Sequence, residues 1–261
     1  MKEKTQTSEF EIVMDGGASP ASNRRPIVFV SSSVYDKRDL LVEVRDLLKG
    51  FGFTPWLSMD GTFPVEWNDS AFGNCIKSVE KADFFIGIIS PWYGSGVDKA
   101  TGESVTHQEM RRAVELDKPR LMMVDERVCE IKNFLDELGF KGRKGREEFR
   151  ELLDSWNPKN GAKRLGEGQA RFLLAKRVCD LRAIDLYEEM TFGRPRTPKG
   201  KPLEPSRRTG NWIQACRTIE DFRDFVAVQF SNLKVTPITY RGLRQAAQRI
   251  KESFNPREVQ S

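Results

Sequence analysis

DFFIGIIS, residues 83–90, decides the fold. Its run of aromatic and β-branched residues is too short for a typical helix and is bounded by Asp83 and Ser90. It therefore reads as a strand buried on both faces, the situation inside a parallel sheet. Working outward, PIVFV at 26–30, residues 53–57 and PRLMMV at 119–124 repeat the signal. Helical spacing fills the gaps. Leu40, Leu41, Val44, Leu47 and Leu48 predict a helix over 37–49, with Asp36 to cap it and Gly50 to end it. Phe72, Ile76 and Val79 predict another over 70–81, and 106–116 a third. Short apolar strands alternating with helices predict an α/β fold built on a parallel sheet of four to five strands.

Beyond residue 125 the pattern changes, which predicts an α/β domain over 26–125 and a mostly helical, basic extension over 126–261. Helices are expected over 129–138, 146–156, within 167–189 and over 240–254. Thr218 with Asp221 three residues on resembles a short capping box opening a helix to about residue 233. The next β-branched run after 124 is at 234–236. Residues 1–25 end in a Gly/Pro/Ser/Asn cluster and read as a tail. Residues 194–208 hold four prolines, six basic residues and one acid, and read as a loop.

Composition narrows the function. The 261 residues are 38% hydrophobic, with 43 Lys/Arg against 38 Asp/Glu, so a folded chain is expected. There is no apolar stretch of bilayer-spanning length and no signal-peptide core, which predicts a cytoplasmic protein without a membrane partner. Cys75, Cys129, Cys179 and Cys216 lack ligand spacing and His107 is the sole histidine, so neither a zinc site nor an imidazole-based triad is expected. Carboxylates are left as the workers. Residues 1–125 carry 15 Lys/Arg and 19 Asp/Glu, leaving 28 and 19 for 126–261. The basic half admits an anionic partner, nucleic acid being the weaker option, and is equally compatible with simple solubility.

In an open parallel sheet, ligands bind beyond the carboxyl ends of the strands. The loop SSSVYD offers Ser31, Ser32, Ser33 and Tyr35 near a helix start, suited to phosphate or ribose oxygens or, equally, to tightening a turn. In SPWYGSG, Trp92 and Tyr93 are either one wall of a base pocket or a shield for the sheet end, while Gly94 permits close backbone approach. Among carboxylates, Asp83 starts its strand and so lies at the far end of the sheet. Glu109 falls early in the helix after the third strand, facing the crevice. There it either complements the helix dipole or stabilises a ribosyl cation. Asp60, Asp98 and Glu103 are weaker candidates. His107 points to another helix face and reads as a surface or packing residue.

IVFVSSSVYDKRDLL, KADFFIGIISPWYGSG and ESVTHQEMRRAVELDKPRLMMV, taken together, resemble a TIR-like domain family found at the head of STAND-type signalling ATPases. LRAIDLYEE and NWIQACRTIEDFRDFVAVQF resemble the C-terminal part of some stand-alone bacterial members. That family is similar in turn to TIR domains and nucleoside 2-deoxyribosyltransferases. The resemblance implies a flavodoxin/TIR-like core, Glu109 as catalytic glutamate, and Ser31, Ser32, Tyr93 and Gly94 lining a nucleotide site. The opening motif departs at Asp36, Lys37 and Arg38, where relatives carry a longer acidic run. The function it implies is cleavage or base exchange at the N-glycosidic bond of NAD or a related nucleotide, in anti-phage or stress signalling. NAD would be substrate and no cofactor is implied. A homo-oligomer or a partner protein is expected. The alternative is a non-catalytic module that senses a nucleotide or scaffolds an assembly.

Overall fold

The computed structural model describes residues 25–33, 38–94, 96–155, 178–192 and 212–231. The expected tail up to residue 24, the 194–208 loop, the 234–236 run, the 240–254 helix, residues 167–177 of the 167–189 helix, and Tyr35 with Asp36 lie outside them.

Five parallel strands form one sheet in the order β2-β1-β3-β4-β5: β1 (Ile27–Ser32), β2 (Thr54–Leu57), β3 (Phe84–Ile89), β4 (Arg120–Asp125) and β5 (Ile213–Cys216). Helices α1 (Arg38–Gly50), α2 (Ala71–Lys81), α3 (Val105–Glu115), α4 (Glu126–Glu137), α5 (Gly142–Ser155), α6 (Leu181–Phe192) and α7 (Ile219–Ser231) flank it. Alternation along the strands feeds two cores. Val28, Val30, Ile86, Ile88 and Met123 pack with α1 and α7 on one face. Phe29, Phe85, Ile89, Met122 and Val124 pack with α2, α3, α4 and α6 on the other. The doubly wound α/β fold is thus as the strand pattern predicts.

Local chemistry sets the helix starts. Ser70 accepts from the Gly73 N–H at 2.9 Å and Ser104 from the His107 N–H at 3.2 Å. For α7, Thr218 accepts from the Asp221 N–H at 3.2 Å while Asp221 accepts from the Thr218 N–H at 2.9 Å, the reciprocal box its spacing predicts. Asp83 accepts from the Ile27 N–H at 2.7 Å and so ties the amino ends of β1 and β3.

The α/β unit does not stop at residue 125. β5 pairs with β4 along Met122–Asp125, and α7 closes the first core with Phe222, Val226 and Phe230. Phe230 meets Phe53 edge-on, with ring centroids 4.8 Å apart. The extension expected from 126 onward therefore supplies a strand and a core helix. Its sequence hides this because β5 is a short edge strand, IQAC, with little burial on its outer side.

Candidate functional site

The strand order changes direction between β1 and β3, because the chain runs from β1 outward to β2 and from β3 outward to β4. Folds of this type hold ligands beyond the carboxyl ends of those two strands. Ser31 is opposite Gly87 in this pair and shares the α3-facing side with Phe29. From the fifth position of α3, Glu109 reaches across, and the Ser31 hydroxyl donates to its Oε2 at 2.6 Å. Both residues are buried, Glu109 being 2% exposed. Its second oxygen, Oε1, is buried without a hydrogen-bond partner.

Burial pushes the Glu109 carboxyl up to about 7, while the Ser31 hydroxyl and the adjacent Cys75 thiol pull it back down. Burial and then the Glu109 charge push the Cys75 thiol up to about 12, which removes it as a nucleophile at neutral pH. The result is a carboxyl poised between its two protonation states, held by the Ser31 hydroxyl with the Cys75 thiol beside it.

Around this pair the loop ends are knit together. The hydroxyls of Ser33 and Ser90 lie 3.1 Å apart, and the Ser90 hydroxyl also donates to the Trp92 carbonyl at 3.2 Å. Thr106 donates to the Ser32 carbonyl at 3.4 Å. Gly94 adopts a φ of +99°, and a Cβ there would sit 3.4–3.7 Å from Thr106, Ser33 and Ser104. A glycine is required by the backbone rather than by crowding.

The structure thus brings Ser31, Ser33 and Gly94 together around Glu109, with Trp92 at the edge, while Ser32 contributes its carbonyl and strand alternation turns its side chain to the other face. Tyr93 belongs to the loop but turns inward, 4% exposed, with the Arg182 guanidinium 4.4 Å over its ring. That ring is already covered, so Tyr93 braces the loop and is not a wall for a base. Asp60, just past β2, pairs with Arg45 of α1 at 3.0 Å. Asp98 closes a tight turn by accepting from the Ala100 N–H and the Thr101 hydroxyl, and Glu103 pairs with Arg111. Among residues the sequence reading did not single out, Ser90 and Thr106 were detectable as hydroxyls flanking the site. Cys75 was not, because its proximity comes from the packing of α2 on α3. Among the described residues there is no cluster of three or more His, Cys, Asp or Glu able to hold a metal, and no helix is long and apolar enough to cross a membrane.

Fold and site define a doubly wound α/β protein of flavodoxin-like strand order with a buried carboxyl at its topological switch point. Residues 27–155 match the family model described as a domain of unknown function, DUF4062. No curated protein matches the chain.

Proposed function

We propose that this protein is a TIR-like enzyme that cleaves or exchanges the N-glycosidic bond of NAD or a related nucleotide, with Glu109 as the catalytic residue. The observation that carries the reading is the buried Ser31–Glu109 pair at the β1/β3 switch point, with one carboxylate oxygen fixed by a hydroxyl. A carboxylate freed of water interacts strongly with positive charge, which suits a ribosyl cation. In the step, the C1′–N bond breaks and its electron pair leaves with the base. Glu109 stabilises the cation, the oxygen of water bonds to C1′, and the water proton passes to the carboxylate and on to solvent. Ser31 holds the carboxylate. Ser33, Ser90 and the backbone around Gly94 supply the polar rim that ribose or phosphate oxygens need.

The 2% exposure of Glu109 favours a second reading, in which the pair is an internal fastening and the domain is a non-catalytic nucleotide-sensing or assembly module. Incubating concentrated protein with a panel of NAD, NADP, ATP and deoxynucleosides, beside Glu109→Gln, separates the two. Free base from the wild type alone supports the enzyme. Every nucleotide intact at all protein concentrations supports the module.

A further inference from the structure

The loop and helix that frame Glu109 are braced by residues outside the 27–155 span. Four contacts reach in from 178–192. The Asp180 N–H donates to the Pro91 carbonyl at 2.7 Å. Arg182, anchored by Asp180 through bonds of 3.1 and 2.7 Å, covers the Tyr93 ring. Glu189 accepts from Arg111 on α3, at 2.7 Å through Nε and 3.0 Å through Nη2. Its Oε2 also lies 3.0 Å from His107 Nε2.

Tyr93 and His107 join these elements. The Ser104 N–H donates to the Tyr93 hydroxyl at 3.4 Å, and that hydroxyl lies 2.6 Å from His107 Nδ1. On the far side of the ring, His107 Nε2 lies 3.0 Å from Glu189 Oε2 and 3.2 Å from Arg111 Nη2. Burial alone would raise the Glu189 carboxyl, yet His107 and Arg111 hold it at about 2. It therefore remains the acceptor across the neutral range. The loop at 91–94 and the first turns of α3, which place Glu109 against Ser31, are fixed from one side by this carboxylate and from the other by Arg182.

We infer that the segment 178–192 is a positioning element of the Glu109 site, with Arg182 and Glu189 as its positioning residues, so that the functional unit extends beyond the family match. The assignment to catalysis rests on the reading of Glu109 given above, whereas the mechanical part does not.

Hydrogen exchange and base release, both on the full chain, test the two parts separately. The variants are Arg182→Ala/Glu189→Gln and, as the milder version that retains the fold, Glu189→Gln alone. Removing charge-assisted bonds is expected to speed amide exchange in residues 91–107 by about tenfold or more, with residues 120–125 unchanged. In the same variants kcat for base release falls by about tenfold or more while KM stays within about twofold, as misplacement of a reacting group requires. Unchanged exchange in 91–107, or equal acceleration in both segments, overturns the positioning role. Local loosening with kcat intact overturns its link to catalysis. A wild type that releases no base refutes the glycosidic reading alone, and the exchange result still decides whether the segment sets the loop.

Discussion

Replacing Glu109 by Gln removes one titration from the core while preserving shape and the acceptor for the Ser31 hydroxyl. The native carboxyl sits at about 7 against an ordinary value of 4.5, with burial the main cause. The sign follows from which state holds the proton. Below about pH 4.5 both folded and unfolded chains are protonated at this position and no charge is buried. As pH rises the unfolded state releases its proton first, so stability drains away until the folded pKa near 7 is passed. The interval corresponds to about 3 kcal/mol lost on crossing that window, most of it between about pH 5 and about pH 7. Gln carries no such cost. Urea denaturation of both proteins at steps from about pH 5 to about pH 8 gives the difference directly, because titrations shared by the two chains cancel. Relative to the wild type, Glu109→Gln should gain about 2 to 3 kcal/mol over that range. Its amide brings new N–H groups into a buried place, but that cost is a constant offset and leaves the slope untouched. A difference that stays flat with pH would refute the raised carboxyl and with it the poised state proposed for the site.

Three further outcomes follow from the same structure. Because the reaction uses the ionised carboxylate, kcat/KM for base release should rise with pH through about 7 in the wild type. Ser31→Ala, which removes a bond favouring the charged form, should move that rise to higher pH, and a pH-rate series on both checks it. Phe230→Ala should cost about 3 to 5 kcal/mol in denaturation, since the ring fills the core between Phe51, Phe53 and Phe84. A small loss would show that α7 is an appendage. Asp83→Asn weakens the tie to the Ile27 N–H at the opposite end of the sheet, so melting should show a loss of about 1 kcal/mol with unchanged kcat.

How much of this was legible in the sequence depends on whether the signal is local. Strands β1, β3 and β4 announce themselves because each carries a continuous apolar stretch buried on both faces. The capping box at Thr218 and Asp221, and the structural role of Asp83, also follow from neighbours in the chain. Ser31, Gly94 and Glu109 could be placed at one site from strand ends and helix position alone. β5 could not be read, because an edge strand of four residues containing Gln214 has no periodicity to detect. Tyr93 was misleading for a related reason: an aromatic beside a glycine looks like a pocket wall until Arg182, from a distant element, is seen to cover it. The Glu189 brace is likewise silent, since 82 residues separate it from His107 and only the packing of α6 against α3 unites them.

The central claim is that the Glu109 carboxylate supports departure of a base from a ribosyl centre. Its most direct test is the rate of free-base release from NAD by wild type and Glu109→Gln at equal concentration, with folding of both verified by circular dichroism. The account predicts release by the wild type and a loss of about a hundredfold or more in the variant, the scale expected when a group stabilising transition-state charge is removed. Equal release by both proteins would contradict it.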